Sequence, residues 1–279
     1  MTTMYKVVKA CAIALSALII LSIASAICSA IVAMAGIDYI SDFFEADNGE
    51  RKFQEDTIDI ETVQNLNVES GIGEFVIETS EEFKVVAENV SKNYSCKVEN
   101  GTLKVIDKTK NVLKFNDKNT PKITVYIPES FYFDTVNLDL GVGETNISSL
   151  KADRIDIDCG AGELNVDYLE AREKISIDGG VGEFTIKDSV MNDLDFDAGV
   201  GESNITAKLT GKCEIDTGVG QTIIKLIDFD ESKGKITTNK GIGEIRVNGR
   251  SAKSEDSFGN GNEDIIKISG GVGEIKLEY

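Results

Sequence analysis

Nine carboxylates return at two fixed offsets from a repeated glycine word. Asp139, Asp158, Asp178, Asp197 and Asp216 stand two residues before the word; Glu144, Glu163, Glu183 and Glu202 stand at its end. Hard calcium takes several carboxylate and carbonyl oxygens. One expectation is therefore a cation ladder in which calcium bridges neighbouring repeats through these nine acids. The plainer expectation is that each Asp accepts from the amide two residues on, as an Asx-turn, while water and salt screen the rest. Paired acids also serve glycosidases, which hold two of them at a set separation in a cleft. Here many acids repeat around a surface in a chain with no Trp to stack a sugar, so they read as solvated and no catalytic residue is expected.

Other chemistries are excluded by composition. The 279 residues include no His, so no imidazole acid–base pair, Ser-His-Asp or Cys-His nucleophile, or His-ligated zinc can form. The formal charge of −19 opposes nucleic acid, which needs cations to displace counterions from phosphate. The glycines could suggest a phosphate cradle, but that motif occurs once per domain and leads into a helix. These lead into strands. Gly179-Gly180-Val181-Gly182 begins like a calcium β-roll word, yet Phe184 occupies the position that needs Asp. No cofactor is expected, calcium apart.

The word is Gly-aliphatic-Gly-Glu, and it occurs eight times. Its first glycines are Gly71, Gly141, Gly160, Gly180, Gly199, Gly218, Gly241 and Gly271, with Gln221 replacing the final Glu once. From Gly141 to Gly218 the steps are 19, 20, 19 and 19 residues; they then stretch to 23 and 30, and a step of 70 separates the first two copies. Five residues before each word stand Leu66, Val136, Ile155, Ile175, Leu194, Cys213, Ile236 and Ile266. Three before stand Val68, Leu138, Ile157, Ile177, Phe196, Ile215, Thr238 and Ile268. Six after the first glycine stand Ile77, Ile147, Val166, Ile186, Ile205, Ile224, Val247 and Leu277. Polar residues alternate with them, which predicts two short strands around a glycine turn with one face buried.

A lone hairpin of this size cannot bury its face. Stacked copies place each aliphatic column on itself. The fold predicted for residues 58–279 is all-β: a right-handed parallel β-solenoid, or β-helix, with one coil per repeat and about 4.8 Å of rise. An antiparallel sandwich fits the alternation equally well but not the return of one residue type at each phase. Leu150, Leu169, Val190 and Leu209 are expected to point inward from the connecting arcs. Residues 78–135 break the pattern. Their strand-like runs and the Asn100-Gly101 hairpin signal predict an antiparallel sheet that caps the start of the stack.

Residues 10–37 carry no charge, enough for a membrane-spanning helix. Lys6 and Lys9 precede the run and acids follow it, so residues 1–9 are placed inside and the remainder outside. A cleaved signal peptide is the alternative, with Ala24-Ser25-Ala26 or Ala33-Met34-Ala35 at the cut and a secreted product. The uncharged run is longer than the apolar core of most such signals. Ile27 before Cys28 opposes lipid attachment. Residues 38–57 read as an acidic spacer. Cys159 and Cys213, three repeats apart, would be separated by roughly 14 Å of rise, beyond a disulfide.

The run Ile123-Thr124-Val125-Tyr126-Ile127-Pro128, then Val136-Asn137-Leu138 and Gly141-Val142-Gly143-Glu144, resembles the bacterial β-strand-repeat family labelled "putative adhesin", as does Asn100-Gly101-Thr102-Leu103-Lys104-Val105. The likeness covers about residues 58–279. It implies a β-helix-like fold and an envelope location, and it supplies no catalytic residues. The function expected is a membrane-anchored, extracytoplasmic, non-enzymatic binding or structural module. Its partners would be the membrane and an envelope protein or cell-wall polymer. The alternative is a regulatory accessory that senses envelope state and contacts its regulator through the membrane helix, where Ala24, Ser25, Ser29 and Ala33 would allow close packing.

Overall fold

A computed structural model describes residues 52–107, 120–253 and 255–279. The predicted membrane helix at 10–37 lies outside them, as does most of the spacer. Among the described residues no helix is long and apolar enough to cross a membrane. These residues are all-β apart from one 3-10 turn at Ile60–Thr62.

The strands are β1 (Lys52–Thr57), β2 (Asn65–Ser80), β3 (Lys84–Val90), β4 (Ser95–Glu99), β5 (Thr102–Asp107) and β6 (Lys122–Pro128). Next come β7 (Phe133–Ile147), β8 (Leu150–Val166), β9 (Leu169–Asn192), β10 (Leu194–Asp197), β11 (Val200–Thr210) and β12 (Lys212–Leu226). The last are β13 (Gly234–Asn239), β14 (Ile242–Val247), β15 (Arg250–Ser251), β16 (Glu255–Phe258) and β17 (Asp264–Glu278). β1 falls in the stretch read as spacer; it pairs antiparallel with β3.

The repeats stack as parallel strands in register. Ile155 of β8 lies between Val136 of β7 and Ile175 of β9, and Gly162 lies between Gly143 and Gly182. The three predicted aliphatic columns are buried in every tier, Cys213 and Thr238 included. A fourth inward column, four residues after the first glycine, escaped the sequence pattern. It holds Phe75, Leu164, Phe184, Ile245 and Ile275, but also Thr145, Ser203 and Thr222, so its polarity varies while its burial does not. Each fully buried aliphatic side chain contributes about 1.5–3 kcal/mol.

Several expectations need correction. The glycine word does not always separate two strands. In β2, β7, β8, β9, β12 and β17 the strand runs through it, bent at the second glycine. That residue has positive φ in all eight words, for example +155° at Gly182. A Cβ on Gly182 would fall on the carbonyl oxygen of Gly162 in the next tier. Two constraints thus act on one atom: the backbone conformation and the tier beneath.

Val190 points outward; Ser189 and Met191 face the core instead. The cause is an extra residue in β9. Ile186 pairs with Ile205 and Ser189 with Ala207, so three positions of β9 oppose two of β11. Asp188 takes up the difference with φ of +45°.

The cap over residues 78–135 is not simply antiparallel. β5 and β6 run parallel to β2, on its first and second halves, and form a further partial tier. Antiparallel strands attach outside it, β4 on β5 and β3 on β6. Asn100 and Gly101 both have positive φ in the β4–β5 turn, as its sequence signal implied.

The tiers do not follow chain order at the C-terminal end. β17 lies between β12 and the pair β13/β14, so the tier of Gly271 separates those of Gly218 and Gly241. Antiparallel β16 and β15 then cover β13 and β14. Both ends of the parallel stack are therefore dressed with antiparallel strands, which blunts an otherwise open edge.

Replacing Gly182 by Ala is expected to cost at least about 2 kcal/mol from strain and backbone overlap combined. Urea denaturation of the variant checks this, with Val181→Ala as the neighbouring control expected to stay near wild type.

Candidate functional site

The outer edge of the glycine words is the most distinctive surface among the described residues. The middle residue of each word projects outward. In spatial order these residues are Ile72, Val142, Ala161, Val181, Val200, Val219, Val272 and Ile242, each paired in register with the next. Five are substantially exposed: Val142 at 47%, Val181 at 57%, Val200 at 37%, Val272 at 45% and Ile242 at 76%. The geometry makes this possible. Flanking glycines carry no side chain that could cover the aliphatic group, and the bend at the second glycine turns it away from the core. Single exposed apolar residues are ordinary, whereas a continuous row is not. Eight rungs at about 4.8 Å give a ridge of roughly 34 Å.

The nine carboxylates named from the sequence border this ridge. Asp139, Asp158, Asp178, Asp197 and Asp216 pair in succession and form one rail, which Glu69 extends. Glu144, Glu163, Glu183 and Glu202 form the other, extended by Glu74 at one end and by Gln221, Glu274 and Glu244 at the other. All nine side chains are exposed. None of the nine forms an ion pair with a described residue. Among the described residues the Glu rail meets cations only toward its ends, at Glu74 on one side and at Glu274 and Glu244 on the other. Lys122 Nζ lies 2.8 Å from Glu74 Oε1. Arg246 Nη2 lies 2.9 Å from Glu244 Oε2, and the Arg246 hydrogen bond holds the Glu244 carboxyl below its usual range.

Among the described residues no three acidic or thiol groups converge on a position that could hold a metal ion. The acids are spread along columns, two rails apart, rather than gathered around a point. The Asx-turn reading is realised at Asp197, whose Oδ1 accepts from the Gly199 amide at 3.1 Å. Glu144 accepts from the Asn146 side-chain amide at 2.8 Å. At the centre of the Asp rail, Asp178 titrates above its ordinary value. Partial desolvation contributes most, followed by the charges of Asp158 and Asp197 on either side.

Among the described residues the cysteines offer no activated nucleophile. Cys96, Cys159 and Cys213 are free, and burial pushes their thiols up to about 12, 12 and 11. A space of about 230 Å³ beside Cys213 is lined by Lys212, Glu214, Ile265 and Lys267. Two of its three charged side chains are engaged with each other, since Lys267 Nζ lies 2.6 Å from Glu214 Oε1. Under the words of Gly141 and Gly160, a hollow lined by Phe75, Leu164 and Phe184 has room of about 20 Å³, one water at most.

Sequence reasoning located the rails but passed over the ridge between them. The signal was present: the middle position of the word is aliphatic in all eight copies. A valine between two glycines reads as filler until the bend shows which way it points.

Stacked parallel repeats with a ridged, acid-bordered edge define a repeat-built all-β protein. Residues 62–187 match the family described as the N-terminal domain of toast_rack, DUF2154. This match bears out the likeness to an adhesin-like β-strand-repeat family. The chain is similar to a "putative cell adhesion protein" from Clostridium sporogenes, at 16% identity over 82% of this chain and 99% of that one, with a TM-score of 0.34. It is similar also to a "putative adhesin" from Parabacteroides distasonis, at 14% identity over 82% and 98%, TM-score 0.36. Another, from Bacteroides fragilis, gives 13% identity over 82% and 98%, TM-score 0.32. No curated protein matches the chain.

Two outcomes follow from the site. Because Asp178 binds its proton more readily folded than unfolded, it favours folding below the ordinary aspartate range of about 4 and opposes it as pH rises past its folded value. Asp178→Asn is therefore expected to raise Tm at pH 7 in low salt. The gain shrinks in 0.5 M NaCl and vanishes near pH 3, as calorimetry at the three conditions would show. The three described thiols are expected to label with a disulfide reagent at pH 8 at least about tenfold more slowly in the folded protein than in urea.

Proposed function

We propose that this chain is a membrane-tethered, extracytoplasmic and non-enzymatic binding module. In this reading the stacked tiers close into a right-handed parallel β-solenoid, carried outside the cell by an uncleaved helix at residues 10–37. The observation that carries the proposal is the aliphatic ridge, in register over eight tiers, substantially exposed at five of them and bordered by carboxylates. A structure kept only for scaffolding has no need of a row of solvent-facing Val and Ile. A long regular surface suits recognition of an extended partner. The acidic borders favour partners that are basic or reached through cations. Further support comes from the uncharged run, which has Lys6 and Lys9 before it and Asp38 and Asp42 after it.

The test has two arms. Protease added to intact cells is expected to remove residues 52–279 while leaving a membrane-bound N-terminal fragment; full protection until lysis would contradict the placement. A variant with Val142→Ser, Val181→Ser and Val200→Ser is expected to keep the wild-type circular dichroism and Tm. It should lose most binding to isolated envelopes, read by sedimentation. Unchanged binding would remove the ridge from the function.

A further inference from the structure

We propose that the ridge and its two rails take a basic amphipathic polypeptide segment, one with an apolar stripe bordered on both sides by Lys or Arg, laid along the stack. The proposal rests on the binding-module reading and names the chemistry of its partner.

The argument is one of complementarity. The ridge presents only Val, Ile and Ala along its length. On one side lie five Asp in successive tiers, and on the other lie four Glu, none of them paired with a described cation. Like charges at about 4.8 Å in water repel each other, the more so at low salt. A row of cations brought against each rail would relieve this repulsion while the apolar stripe covers the valines. The chain itself illustrates the pairing at the ends of the Glu rail, where Lys122 meets Glu74 and Arg246 meets Glu244.

The same features disfavour other occupants. A second copy would set acidic rails against acidic rails, in a chain whose formal charge is −19. An anionic lipid surface meets the same repulsion. A sugar polymer would want aromatic platforms, and no aromatic side chain stands on the ridge. The length is informative as well. About 34 Å corresponds to roughly 22 residues of α-helix.

The probe is a synthetic 22-residue helix with a Leu stripe flanked by Lys, titrated calorimetrically into the full chain in nonionic detergent. Expected are 1:1 binding and at least tenfold weakening between 50 and 500 mM NaCl. A scrambled peptide of identical composition should bind at least tenfold more weakly, and a Glu-for-Lys peptide should not bind. The Val142→Ser, Val181→Ser, Val200→Ser variant and a Glu144→Gln, Glu163→Gln, Glu183→Gln variant should each lose at least tenfold, with a Tm no lower than wild type confirming that both fold. Equal affinity for the scrambled peptide, or undiminished binding to either variant, would overturn the proposal by showing general charge attraction only. So would a concentration-dependent dimer that Val181→Arg abolishes, since the ridge would then be a self-contact. Envelope binding that depends on the ridge but is not competed by the Leu/Lys peptide would overturn this proposal and leave the binding-module reading standing.

Discussion

Close backbone approach at the glycine words governs the rest of the structure. At each tier the second glycine adopts a conformation closed to most L-residues, and the next tier leaves no space for a Cβ. Because this contact is the same in every tier, it fixes register. Once register is fixed, every position of the repeat falls on its counterpart, and the columns follow without further instruction. Inside, that produces rows such as Val136, Ile155, Ile175 and Leu194, which pack as a continuous core. Outside, it produces rows of like charge.

The two consequences oppose each other energetically. Stacking a β-branched residue on its like suits a pleated surface, whereas stacking Asp on Asp does not. The structure accommodates the second because the first is stronger. Several buried aliphatic groups per tier each contribute about 1.5–3 kcal/mol, against screened repulsion of at most roughly 1 kcal/mol per exposed pair. A repeat can therefore carry a costly surface pattern if the pattern serves a purpose. The carboxylate rails are such a pattern, and the valine ridge between them is another.

Much of this was legible in the residues themselves. Ile157 and Ile177 announce an inward column by period-two alternation, and the 19- and 20-residue steps announce stacking. Polar members hid the inward column of Phe75, Thr145 and Ser203, because burial at a tier is set by geometry rather than by the residue present. Val190 was misplaced because Asp188 inserts one position, and such a shift leaves no mark in hydrophobicity. Neighbour order at the C-terminal end was unreadable for a different reason. The words at Gly241 and Gly271 are nearly identical, so nothing local states which of them docks against Gly218.

That exchange of neighbours bears on how the molecule is completed. β13 and β14 have, among described residues, only β17 and the short strands β16 and β15 as partners. Among the described residues, β17 (Asp264–Glu278) alone joins them to β12. A later segment of the chain is thus a keystone slid between parts that precede it in sequence. During synthesis the tier of β13 and β14 must wait without its inner neighbour until β17 has been made, and a chain cut shortly before residue 264 would lose two tiers rather than one.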